Sequence, residues 1–269
     1  MLYFALCIFI VLGLCILSTV GHRGHRGLVS LSGWSYAHRG LHGAGVPENS
    51  LKAFRKAISG GYGAELDVHL LADGNLAVIH DSSLKRTTGA DVLIEDLTTE
   101  ELKKYYLEDT FECIPEFSQV LALFEGNAPI IVELKSKDNN VDALCRGVCK
   151  YLDNYSGVYC IESFDPRCVA WFRKHRPQVV RGQLAENFFK TPNCKLPAIV
   201  KFLMANHLTN FLTYPDFVAY RYSDRNALMT QVCRKLWKIR GVSWTITCRK
   251  DYDIAVNDGW IPIFESFEP

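Results

Sequence analysis

From residue 35 to the end of the chain, short apolar runs alternate with stretches of helical period. The apolar runs predict strands at 35–38, 64–68, 76–80, 130–133, 158–162, 180–184, 217–220, 242–245 and 261–264. The amphipathic stretches predict helices over 49–59, 99–105, 117–124, 141–152, 166–175, 224–239 and 251–257. Start signals support several of them. Asn49 is placed to cap the first, Thr98 precedes the Glu100/Glu101 turn, and Asp224 opens a long amphipathic run.

Strands alternating with helices imply parallel pairing, and about eight such units in this length imply an α/β fold, a (β/α)8 TIM-type barrel. One connection breaks the rule. Between Val68 and Leu76 there is room only for a turn around Asp73-Gly74, not for a crossover helix. Nine strand candidates for eight staves place one strand outside the barrel, and the pattern does not say which.

The first twenty residues differ from the rest, for MLYFALCIFIVLGLCILSTV carries no charged side chain. Its length and apolarity, without a basic start or a cleavage site, predict an uncleaved transmembrane anchor that contacts membrane lipid. Arg23 and Arg26 follow it, so the positive-inside rule sets the domain that follows on the cytoplasmic side. Residues 21–33, rich in Gly, Ser, His and Arg, read as a linker, and 34–269 as the barrel domain.

Charge and cysteines narrow the class. Lys+Arg 30 against Asp+Glu 29 leaves no basic surplus, which argues against a nucleic-acid partner. Ten scattered cysteines form no CxxC or Cys/His zinc pattern, so free thiols in a reducing compartment are expected.

Acidic and histidine landmarks then fall at or near predicted strand ends: His38, Glu65, Asp67, His80 and Glu133. In a barrel, such ends converge on one face. Three carboxylates are hard oxygen ligands suited to one divalent cation, Mg²⁺ or Ca²⁺. Two imidazoles suit general acid and general base work near neutral pH. His42 and His69 read as ordinary loop and surface or core residues, Glu48 as either a metal neighbour or part of a helix entry, and Trp244 as a pocket wall or core residue.

The segments AHRGLHGAGVPENSLKAF, GAELDVHLLADGNLAVIHD and IIVELK carry HRG at 38–40, PENS at 47–50, ELD at 65–67, HD at 80–81 and ELK at 133–135. In order and spacing this set resembles the signature of the glycerophosphodiester phosphodiesterase family. Weaker similarity continues through Glu162-Ser163-Phe164, Trp244-Thr245 and Glu265-Ser266. HRG alone is unspecific, since GHRGHRG repeats it at His22 and His25.

The resemblance implies that Glu65, Asp67 and Glu133 bind the metal, that His38 and His80 are the acid–base pair, and that Arg39 and Lys135 contact the substrate phosphate. It also implies a mechanism in which a substrate glycerol hydroxyl attacks phosphorus and the resulting cyclic phosphate is opened by water. The expected function is hydrolysis of a small-molecule glycerophosphodiester to glycerol 3-phosphate and an alcohol. A lysophospholipase D-like activity on lysolipids and a catalytically silent phosphate-binding barrel are the alternatives.

Overall fold

A computed structural model describes residues 2–192 and 194–269. Nine strands are formed: β1 (Tyr36–Ala37), β2 (Gly63–Leu70), β3 (Leu76–Val78), β4 (Ile130–Leu134), β5 (Tyr159–Ser163), β6 (Arg181–Ala185), β7 (Phe217–Arg221), β8 (Arg240–Ile246) and β9 (Trp260–Phe264). They follow the order β1-β9-β8-β7-β6-β5-β4-β2-β3, and β1 also pairs with β2. Eight parallel staves therefore close on themselves as a TIM-type barrel.

The strand outside the barrel is β3. It pairs antiparallel with β2, Val68 opposite Val78 and Leu70 opposite Leu76. The tight Asp73-Gly74 turn permits a hairpin and nothing else. Beyond β3, Ile79, Leu84, Ile94, Leu97, Leu102 and Leu107 bury a small core of their own.

Helices cover the staves where the period predicted them, among them Val141–Leu152 and Pro166–His175, with Asp165 capping the latter through Arg167 N. Thr98 and Glu101 form a capping box. Two expectations need correction. Ser50, not Asn49, caps the helix Leu51–Ser59 by accepting from Ala53 N. The run expected to be one helix over 224–239 is instead a 3₁₀ turn, a four-residue α-helix and a π-helical stretch, Val232–Leu236.

The transmembrane anchor also needs correction. The leading apolar segment is helical over Leu2–Ser18, but no helix among the described residues is long and apolar enough to cross a membrane. Its end is tied to the barrel: Trp237 Nε1 donates to Thr19 Oγ1 (3.0 Å), and Asn210 Nδ2 donates to Thr19 O (3.2 Å).

The stretch from residue 21 to 33 then runs against the N-terminal end of the barrel. His22 Nδ1 lies 2.6 Å from the fully buried Asp216. Leu28 and Leu31 join Tyr36, Ile131, Cys160 and Phe217 in one apolar cluster. That cluster fills the mouth of the barrel opposite the strand C-termini.

Candidate active site

The acidic groups owe their meeting to register. Asp67 on β2 stands opposite Glu133 on β4, and Glu133 opposite Glu162 on β5. Glu65 lies two residues before Asp67, and two-residue periodicity puts both on the same face. Glu65, Asp67 and Glu133 offer oxygens that all lie within 4.8 Å of one another, and all three residues are buried.

Each histidine sits just past a strand end. The His38 amide donates to Phe264 O (2.9 Å), which ties the residue after β1 to the end of β9. Its Nδ1 is 2.5 Å from Glu265 Oε2, and its Nε2 is 4.0 Å from Glu65 Oε2. Ile79 N donates to Asp67 O (3.0 Å), which carries His80 to the same rim. His80 Nδ1 lies 2.6 Å from Asp81 Oδ1, and Arg86 Nε donates to Asp81 Oδ2 (2.5 Å). Both imidazoles thus have Nδ1 engaged by a carboxylate.

Gly40 in the HRG turn has φ +79°, and a Cβ there would come within 2.8 Å of Ala53 Cβ. Glycine is required by both the backbone and the space. Arg39, also at positive φ (55°), sends Nη1 to Glu48 Oε1 at 2.9 Å. Its Nε, 3.6 Å from Asp67 Oδ2, has no hydrogen-bond partner among the described residues. Lys135 Nζ lies 2.9 Å from Asp67 Oδ1 and 2.7 Å from Glu133 Oε1.

The seven predicted residues thus occupy one site. All but Asp67 line a cavity of about 430 Å³, walled further by Phe164, Trp244, Glu186 and Arg221. Asp67 stands behind it, held by Lys135 and by Asn49 Nδ2 (2.8 Å).

The charges are unevenly stabilised. Burial raises the Glu65 carboxyl well above its ordinary range, and Asp67, Glu133 and Glu162 add repulsion. Burial also raises Glu133, though Lys135 opposes it. Burial alone would raise Asp67, but Lys135, His80 and Arg39 outweigh it and hold that carboxylate well below its usual range. Burial works against the Lys135 charge too, yet Asp67 and Glu133 push its pKa above the ordinary lysine value. A close set of buried oxygens under mutual repulsion, from hard donors only, fits a hard divalent cation.

Several participants are marked in the sequence only weakly, ambiguously or not at all. Glu265 was visible only as a weak terminal motif, and Asp81 was visible as the neighbour of His80. Glu48 joins Arg39 to Arg86, whose Nη2 donates to Glu48 Oε1 at 2.6 Å, so it braces two arginines. His69, read as an ordinary residue, spans Glu95 Oε1 (Nδ1, 2.9 Å) and the His80 carbonyl (Nε2, 3.1 Å). No periodicity in the chain signals that link. Trp244, left open between two readings, lines the cavity and stands edge-on to Phe164 with ring centroids 5.7 Å apart.

Comparison with known proteins follows the same outline. The model of the glycerophosphoryl diester phosphodiesterase family matches residues 38–225. A glycerophosphodiester phosphodiesterase of Bacillus altitudinis is 34% identical over 175 residues, covering 61% of this chain and 71% of that protein. Among solved structures, a glycerophosphodiester phosphodiesterase of Thermotoga maritima superposes with TM-score 0.66 at 25% identity, covering 86% of this chain and 93% of that one. A phosphodiesterase of Oleispira antarctica, in complex with the product sn-glycerol-3-phosphate, superposes with TM-score 0.72 at 21% identity, over 88% of this chain and 94% of that one. The chain belongs to the glycerophosphoryl diester phosphodiesterase family.

Proposed function

We infer that this protein hydrolyses glycerophosphodiesters to glycerol 3-phosphate and an alcohol, with Glu65, Asp67 and Glu133 as the ligands of one Mg²⁺ or Ca²⁺. The observation that carries the reading is the convergence of both histidines and the metal-ligand carboxylates on a single rim, each imidazole braced by its own carboxylate. A passive phosphate-binding module has no need of two oriented imidazoles. When bound, the cation supplies positive charge against the phosphate oxygens and the departing oxygen.

The side chains divide the remaining work. Arg39, freed in part from Glu48, offers a planar fork to phosphate oxygens, and Lys135 a point charge. Glu265 holds Nδ1 of His38, leaving Nε2 as the atom that exchanges protons with substrate. Asp81 does the same for His80, and Arg86 keeps Asp81 in place. One imidazole takes the proton of the attacking glycerol hydroxyl while the other delivers a proton to the leaving alcohol; water then opens the cyclic phosphate with the two proton transfers reversed, which restores both imidazoles. We assign the acid role to His80, which lies on the hairpin side of the site. Burial, the largest influence on His38, lowers its pKa, the direction that favours a base.

The test is release of glycerol 3-phosphate from glycerophosphocholine, glycerophosphoethanolamine and glycerophosphoglycerol, with added Mg²⁺ or Ca²⁺ and with excess chelator. Turnover of at least one substrate that needs the ion is expected. Inertness toward the whole panel under both ions would overturn the reading.

A further inference from the structure

The segment that carries His80 has no strand of its own. β3 ends at Val78 and the next helix is Lys85–Thr88, so His80 and Asp81 lie in irregular chain between the two. Pairing with β2 extends one bond into this stretch, from Ile79 N to Asp67 O (3.0 Å). A general acid must stand within hydrogen-bond reach of the departing oxygen, and a displacement of about 1 Å can cost about 10²-fold in rate. Something beyond the strand ladder has to hold the segment.

Two buried or half-buried side chains do so. His69, on β2 and buried, places Nε2 3.1 Å from the His80 carbonyl and Nδ1 2.9 Å from Glu95 Oε1. Both partners are acceptors, so both ring nitrogens donate. The other oxygen of Glu95 accepts from Ser82 Oγ at 2.6 Å and from Lys137 Nζ at 3.2 Å. Ile94 N, one residue before Glu95, donates to Ser82 O (2.8 Å). One carboxylate therefore holds the residues on both sides of Asp81: Ser82 directly, and His80 through His69. Asp81 in turn holds His80 Nδ1. Neither His69 nor Glu95 lines the catalytic cavity; with Ser82 and Lys137 they line a neighbouring one of about 690 Å³.

We propose that His69 and Glu95 are positioning residues, a clamp on the His80–Asp81 segment that sets the aim of the His80 imidazole at the leaving oxygen. The inference rests on the phosphodiesterase reading above, with His80 as its acid. Turning the His80 peptide would break the bond from His69 and leave a buried N–H without a partner, which opposes the movement. The effect on the reaction passes wholly through His80, since neither clamp residue reaches the substrate.

The experiment compares His69→Leu, Glu95→Gln and Ser82→Ala with wild type on glycerophosphocholine and on a nitrophenyl phosphodiester of glycerol. On glycerophosphocholine, His69→Leu and Glu95→Gln should lower kcat by about 10- to 100-fold with KM nearly unchanged. The nitrophenyl substrate needs little protonation of its leaving group and should lose far less. Ser82→Ala removes one hold without opening the core and should show the same split at smaller size. His69→Gln, whose amide keeps a donor near the place of Nε2, should recover most of the loss. Equal losses on both substrates would mean that the clamp supports the fold alone, and would overturn the proposal.

Proton NMR reads the clamp without turnover. The His80 Nδ1 proton, held by Asp81 at 2.6 Å, should resonate far downfield and be identified by its loss in His80→Ala. It should shift in His69→Leu and Glu95→Gln, and return in His69→Gln. An unmoved resonance together with an unaltered kcat would remove the clamp and leave the hydrolase reading intact. A shifted resonance in variants of a protein that turns over neither substrate would retain the clamp and remove the hydrolase reading.

Discussion

Nδ1 of His38 lies 2.5 Å from Oε2 of Glu265, a residue 227 positions later in the chain. The contact follows from barrel closure, since β1 and β9 pair side by side with Ala37 opposite Phe264, and each residue comes directly after its strand. It leaves His38 with one ring nitrogen for substrate. Glu265→Gln should lower kcat by about 10- to 100-fold, the usual cost of losing a partner that orients another side chain, with little change in KM. Steady-state kinetics on glycerophosphocholine decides this, and an unaltered kcat would remove Glu265 from the mechanism.

His38→Ala and His80→Ala should each reduce kcat by about 10²- to 10⁴-fold and raise KM far less. The double variant should fall well short of the product of the two losses, because acid and base act in one step. A nitrophenyl phosphodiester, whose leaving group needs little protonation, should partly rescue loss of the acid and not of the base. The variant rescued is expected to be His80→Ala. Equal rescue of both, or of neither, contradicts the assigned roles.

The three carboxylates proposed as metal ligands repel one another without a cation, so Glu65→Gln should melt higher than wild type in chelator at neutral pH. It should also lose the response to metal. At an ion concentration of about 100 times Kd, wild type gains about 2.7 kcal/mol, or roughly 5 to 10 °C in Tm. A full metal-induced rise in Glu65→Gln, seen by scanning calorimetry, would show that Glu65 is not a ligand.

Glu95 links His69, Ser82 and Lys137 in one polar cluster. Burial alone would raise its pKa, but hydrogen bonds from His69 and Ser82 bring it down to about 2. A carboxylate depressed in the folded state contributes stability above its unfolded pKa of about 4.3, and that contribution fades as pH drops toward 2. The Tm difference between wild type and Glu95→Gln should therefore be largest at pH 6 and shrink steadily between pH 4.5 and 2. A difference that stays constant across that window refutes the linkage.

His22 and His25 belong to the repeat that imitates the catalytic HRG, and neither lines the catalytic cavity. His22 nevertheless has a structural task, pairing at 2.6 Å with a carboxylate, Asp216, that is fully buried. His22→Ala should leave kcat unchanged and cost about 1 kcal/mol of stability, since the half-exposed imidazole is partly screened. His25→Ala should change neither. Urea unfolding alongside activity separates the two outcomes, and a fall in kcat for either variant would mean the repeat contributes to the site.

The sequence by itself determined the barrel and the residues proposed for the site. Strands of parallel sheets are buried on both faces and stand out as apolar runs, and chemistry-bearing residues stand out where those runs end. His38, Glu65, Asp67, His80 and Glu133 were legible for that reason, Arg39 and Lys135 only through the family resemblance, and the turn that forbids a crossover helix through its shortness. Only the tertiary structure decided which strand leaves the barrel, because hairpin and stave share the same local pattern. It alone placed Glu265 on His38 and Glu162 level with Glu133, since closure and register are set by packing across the whole sheet and not by neighbouring residues. It also tied the end of the leading apolar helix to Trp237. The apolar wall of the cavity beside the site arises from Phe164, Phe188 and Met204, far apart in sequence, whose apolar character reads as ordinary core until the fold leaves a space between them.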